Sequence, residues 1–299
     1  VEQSPLLSVG LPIALFIIMT GIGLTLTTDD FRREARQPRG AAVGTLAQLL
    51  VMPLLGFGVA VLLDLPSALA VGLVVAASCP GGSTSNLIAF LARANVALSI
   101  VLTVLASIGT ILTLPFFVGL ALDRWAGVDD AAVSLPIGRT VALLLAVVLV
   151  PVTLGMVLRR RSPERAASLE RAVSLFGGVV LVLLILGIAF SVRDRFWQLL
   201  SDAGPAALLL NVGGLLVGYL VATAARLPRA DRLTMSIELG VKNTTIGILL
   251  AVTVIGSEDM AVPSAVYGLV MYLSAGALVA YGRRTLPPLQ ARGERVLGG

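Results

Sequence analysis

The sequence predicts an all-α polytopic membrane protein with nine transmembrane helices, arranged as two inverted repeats with one broken helix in each. Three observations lead there. The 299 residues are 57% hydrophobic and 13% charged, with 31 glycines and a mean hydropathy of +0.97, whereas a soluble domain carries roughly 25% charged residues. Nine runs are apolar over the length a membrane helix needs, about 20 residues. Two of those runs contain groups that a continuous membrane helix does not hold.

The spans expected from these runs cover residues 6–26, 41–63, 67–93, 96–124, 136–159, 170–192, 204–226, 229–255 and 260–283. Basic residues test their number, because short cytoplasmic loops collect arginine and lysine. With alternating topology, 17 arginines fall on one side: Arg32, Arg33, Arg36, Arg39, Arg93, Arg159, Arg160, Arg161, Arg165, Arg171, Arg226, Arg229, Arg232, Arg283, Arg284, Arg292 and Arg295. Only Arg124, Arg139, Arg193 and Arg195 fall on the other, and the single lysine, Lys242, lies within a span. This split places the N-terminus outside, the C-terminus and a tail over 286–299 in the cytoplasm, and the protein in a bacterial inner membrane. The first run lacks the basic flank and cleavage pattern of a signal peptide, so it counts as a helix.

Composition also excludes whole classes of function. The sequence has no histidine and one cysteine, Cys79, which removes zinc sites, histidine acid–base catalysis, Cys/His nucleophiles and an internal disulfide. No enzyme is expected. The pI near 10.1 reflects arginines at the ends of apolar runs, where topology and lipid explain them better than nucleic acid does. Membrane lipid is therefore an expected partner and nucleic acid is not.

The third span runs apolar through Val71 to Ala77, then meets Cys79, Pro80, Gly81 and Gly82 before resuming at Ser83. Proline removes a backbone donor and the two glycines weaken the next turn, so a break facing a polar cavity is expected. The eighth span opens around Gly240 to Asn243. Both breaks precede an asparagine, Asn86 or Asn243, and an apolar half-helix. The third span lies five before the eighth, so in an alternating topology they enter from opposite faces. Broken helices at matching positions of two halves indicate a transporter with inverted repeats and a midplane site. The repeats expected are residues 1–124, with four helices, and residues 125–285, with five.

Glu238 is the one carboxylate inside a long apolar run, four residues before Lys242. Such a charge costs about 2.5–3.5 kcal/mol at the bilayer centre even on lenient scales. The plain reading is a structural ion pair across one helical turn, but a buried pair is often no more stable than apolar residues in its place. The functional reading makes Glu238 a cation ligand or proton carrier and Lys242 a built-in cation. Ser85, Asn86, Ser99 and Thr103 supply neutral oxygens. Each alone is expected to bond its own helix, yet one glutamate with four such side chains suits a dehydrated sodium ion. Gln48 is an amide within an apolar run five residues before Pro53, suited to bonding a neighbouring helix or to a site role.

Several stretches together resemble the bile acid:sodium symporter family: MetThrGlyIleGlyLeuThrLeuThrThrAspAspPhe from Met19, GlnLeuLeuValMetPro from Gln48, CysProGlyGlySerThrSerAsn from Cys79, AlaArgAlaAsnValAlaLeuSer from Ala92 and GluLeuGlyValLysAsn from Glu238. The resemblance implies two broken helices crossing in a core domain that moves against a panel domain. It implies one sodium site of Ser85, Asn86, Ser99, Thr103 and Glu238. A second would use Gln48, Glu238, the carbonyls of Leu239 and Val241, and a glutamine where this sequence has Lys242. An ammonium there repels sodium and replaces its charge, so a single coupling ion is expected. Met271 and Tyr272 stand where family members that bind bile acids carry polar residues including histidine and asparagine, which argues against bile acid itself. Asn243 and the half-helix starts at Ser83 and Thr244, whose free N–H groups favour anions, are the expected contacts of a carboxylate.

The function expected is inward symport of a small organic anion with Na+ as the coupling ion, by a monomer or homodimer. The alternatives are a proton-coupled or exchange transporter using Glu238 and Lys242, and a channel or membrane receptor in which the two form a structural pair.

Overall fold

The computed structural model describes residues 5–25, 38–125, 137–191 and 193–287. Arg32, Arg33, Arg36, Arg292 and Arg295 of the charge count, and the tail from 288 onward, lie outside these residues. Every regular element described is helical. In chain order they are α1 (Pro5–Thr25), α2 (Arg39–Leu62), α3 (Ser67–Ser78), α4 (Ser83–Leu91) and α5 (Val96–Trp125). Next are α6, joined from Ile137–Leu144, a π turn Leu145–Leu149 and Val150–Arg161, then α7 (Pro163–Ser191) and α8 (Phe196–Ala224). Last come α9 (Arg229–Gly240), α10 (Thr244–Leu249, running on as a π turn over Leu250–Ile255) and α11 (Val262–Thr285).

Six helical segments among the described residues are long and apolar enough to cross a membrane, including 229–255 taken across its break. The protein is a multi-pass membrane protein. Its outer surface agrees, since Leu62, Leu112, Leu175, Phe190 and Leu273 stand exposed, an arrangement that water opposes and lipid accepts. The helices begin and end within a few residues of the expected edges, except where polar turns extend a helix beyond its apolar run. Helix α7 starts at Pro163 rather than 170 and α8 at Phe196 rather than 204, continuing through Pro205. A search for apolar windows does not see such turns.

Helix α1 crosses α6 at two facing glycines. A Cβ on Gly23 would strike the Val152 carbonyl and the Gly155 Cα, and one on Gly155 would strike the Thr20 carbonyl, so the two backbones touch, as small residues permit in membranes. The broken helices are packed differently. From Leu69 to Ser78 every residue of α3 is buried, as is α9 from Leu233 to Gly240. Their ends are tied by hydrogen bonds at one face. The Asn95 amide N–H donates to Thr234 Oγ1 (2.8 Å), Asn95 Nδ2 to Asp231 Oδ1 (3.0 Å) and Arg283 Nε to the Leu91 carbonyl (3.1 Å). The turn between α4 and α5 carries Arg93 at φ 58.

Candidate ion and substrate site

The first break is a backbone event. Helix α3 stops at Ser78, Cys79 is extended (φ −67, ψ 144), and α4 begins only after Gly82 (φ −149, ψ −174). The second break comes after Gly240, with Val241 extended (φ −109, ψ 112) and Asn243 turning the chain into α10 (φ −80, ψ 82). The two cross, because the Asn243 N–H donates to the Pro80 carbonyl at 2.8 Å.

Five of the expected residues converge at this crossing. Thr103 Oγ1 donates to Glu238 Oε1 at 2.6 Å, and Ser99 Oγ lies 2.9 Å from both Glu238 Oε2 and Asn86 Oδ1. Thr103 also lies 3.3 Å from Asn86 Oδ1. Ser85 Oγ donates to the Gly82 carbonyl at 2.7 Å, one turn back at the start of α4, and lies against the Glu238 carboxylate. Gly81 makes room for this, since a Cβ there would land on Glu238 Oε1. Six oxygens from five side chains therefore share two hydroxyl hydrogens, those of Ser99 and Thr103, because Ser85 gives its own to the Gly82 carbonyl. Acceptors outnumber protons around a buried carboxylate, a donor set that fits a hard monovalent cation.

Glu238 and Lys242 make no direct ion pair, so the alternative reading of a structural pair across one helical turn finds no contact here. Lys242 Nζ is buried with no hydrogen-bond partner. Four residues make one turn only while the helix continues, and α9 has ended at Gly240. Gln48 sits on the π turn Ala47–Val51 ahead of Pro53 and donates through Nε2 to the Cys79 carbonyl at 2.8 Å. Its Oε1 is buried without a partner. Leu239 and Val241 flank the second break and are fully buried.

Of the expected substrate contacts, Asn243 lies beside Gly82, Thr244 opens α10 with its hydroxyl unpartnered, and Ser83 opens α4. Met271 and Tyr272 part company. Met271 is buried, whereas Tyr272 is 43% exposed.

Two residues at the second break went unremarked in the sequence. Asn211 Nδ2 of α8 and the Tyr267 hydroxyl of α11 each donate to the Gly240 carbonyl at 2.8 Å. Asn211 carried the same signal as Gln48, an amide within an apolar run. Tyr267 carried none that separates it from an interface tyrosine.

A buried cluster of oxygens and a buried lysine side chain between two crossed half-helices, within a multi-pass apolar protein, is the build of a membrane transporter. Comparison with known proteins gives the particular kind. Residues 12–197 match the profile described as the Sodium Bile acid symporter family. A Bacillus subtilis protein described as the uncharacterized sodium-dependent transporter YocS is 31% identical over 279 residues, 93% of this chain and 84% of its own. The probable sodium/metabolite cotransporter BASS2, chloroplastic, of Oryza sativa subsp. japonica is 34% identical over 92% of this chain and 64% of its own. The human ileal sodium/bile acid cotransporter is 28% identical over 81% of this chain and 68% of its own. The chain belongs to the sodium bile acid symporter family, a family of transporters and not of enzymes.

Proposed function

We propose that the protein imports a small organic anion, a carboxylate, in symport with one sodium ion per cycle. The observation that carries this reading is the set of six oxygens around Glu238, with the unpartnered side-chain nitrogen of Lys242 on the next stretch of chain. Sodium binds among Ser85, Asn86, Ser99, Thr103 and Glu238. In the second position Lys242, beside Gln48 and the carbonyls of Leu239 and Val241, supplies a positive charge that never leaves. Two unmet groups support this, the buried Gln48 Oε1 and Lys242 Nζ.

The carboxylate is held near Asn243, Thr244 and Ser83, where half-helices start and amide N–H groups favour anions. The bound ion draws the crossing together, and the substrate binds beside it. Ion and substrate then favour each other's binding, a reciprocal coupling of about 1–3 kcal/mol in such systems. The chain crosses the inner membrane nine times with its N-terminus outside, as repeats 1–124 and 125–285 followed by a cytoplasmic tail over 286–299. Helices α1, α6 and α7 form the panel against which the rest rocks, a division supported by the close glycine crossing of α1 with α6.

The test is uptake of a panel of labelled monocarboxylates into proteoliposomes under an inward sodium gradient, with potassium and proton gradients as comparisons. Accumulation that needs sodium and fails in Glu238→Gln is expected. Uphill uptake driven by a proton gradient alone would instead make Glu238 and Lys242 a proton path.

A further inference from the structure

We infer that Asn211 and Tyr267 are positioning residues for the ion site: by holding the Gly240 carbonyl from two other helices, they fix where α9 stops and so where the Glu238 carboxylate points. The inference rests on the reading of Glu238 as an ion ligand. A helix that ends inside a membrane leaves its last carbonyls without intrahelical partners, and an unmet polar group costs most where water is excluded. Two donors answer this at Gly240, both at 2.8 Å, one from α8 and one from α11. Both side chains are completely buried, and Asn211 Oδ1 has no partner. The amide is thus kept at that cost for what its Nδ2 does.

The surroundings fix α9 against the same support. A Cβ on Gly214 of α8 would meet the Leu239 carbonyl, and one on Gly218 the Met235 carbonyl. Ser236 Oγ donates to the Leu215 carbonyl at 2.9 Å. The turn bearing Glu238 is therefore gripped on both sides, and unravelling one residue at Gly240 would swing the carboxylate off Ser99 and Thr103. The first break repeats the device in simpler form. Gln48 donates to the Cys79 carbonyl from 31 residues upstream, and Asn211 to that of Gly240 from 29 upstream.

The experiment is a sodium titration of thermal stability, at constant ionic strength with choline, for the full chain and for Asn211→Leu, Tyr267→Phe and the double variant. Half-saturating sodium is expected to rise roughly threefold to tenfold in each single variant, the weight of one hydrogen bond, and further in the double. A lower melting temperature in choline with unchanged half-saturating sodium would overturn the inference, leaving a purely structural role. If Asn211→Leu does not fold, Tyr267→Phe keeps the ring and carries the comparison. If the unaltered chain ignores sodium, the ion reading fails, and deuterium exchange decides the positioning role separately. Faster exchange confined to 238–244 in the variants supports it, and unchanged or general exchange overturns it.

Discussion

The two breaks do the same work by different chemistry. In the first, Pro80 with Gly81 and Gly82 makes continued helix impossible or costly, and a single amide, Gln48, meets a freed carbonyl. In the second no proline intervenes. Val241, Lys242 and Asn243 are all able to sit in a helix, and the interruption is held by Asn211 and Tyr267 on Gly240, with the Asn243 N–H on the Pro80 carbonyl. One break is written in the backbone of its own residues, and the other depends on partners. Side-chain changes should therefore disturb the second more than the first, and chemistry that depends on the second should be the more fragile.

The largest expected effect is at Glu238. A ligand bound only to the folded state adds about 2.7 kcal/mol at one hundred times its Kd, and Glu238→Gln should remove nearly all of that sodium-dependent gain. Melting curves in sodium against choline check it. A retained sodium shift would move the ion site away from the crossing.

Next comes Lys242. Its side-chain nitrogen is buried without a hydrogen-bond partner, so Lys242→Met should raise stability in choline by about 1–4 kcal/mol, the scale on which apolar residues replace buried ionisable groups. Lys242→Gln should steepen the response to sodium by opening a second position. A loss of stability in choline for Lys242→Met would instead make the ammonium a structural prop of the second break.

Gly81 and Gly82 divide the first break. Gly81→Ala places a methyl group on the Glu238 carboxylate, whereas the nearest neighbour of one on Gly82 is the Asn243 Cβ at 3.5 Å, an ordinary contact. Overpacking costs about 1–3 kcal/mol, so Gly81→Ala should lose both stability and sodium response. Gly82→Ala should lose little of either. Equal effects in thermal melts would mean that backbone flexibility, rather than room for Glu238, is what the pair supplies.

This contrast also explains how much was legible in the sequence. Proline and glycine announce the first break locally, and Glu238 and Lys242 announce the second because charges in apolar runs are costly. Ser85, Asn86, Ser99 and Thr103 could be set beside Glu238 through the family resemblance. That Asn211 and Tyr267 meet on one carbonyl depends on how α8 and α11 pack against α9, which no local pattern records. The absence of a Glu238–Lys242 contact has the same origin, because spacing implies a partner only while the helix persists.

The smallest expected effect separates two tyrosines on α11. Tyr267 is fully buried and donates to Gly240, whereas Tyr272, five residues on, is 43% exposed. Tyr272→Phe should change stability by less than about 0.5 kcal/mol, as exposed substitutions away from packed features do, and leave half-saturating substrate unchanged. Tyr267→Phe should weaken sodium binding. Uptake kinetics measured at saturating and limiting sodium distinguish the two, since a substrate contact alters half-saturating substrate at any sodium level. If Tyr272→Phe did so, its exposed face would be a wall of the substrate path, and Met271 and Tyr272 would act together after all. The second break would then owe its function to two layers of α11, one holding the helix end and one facing the cargo.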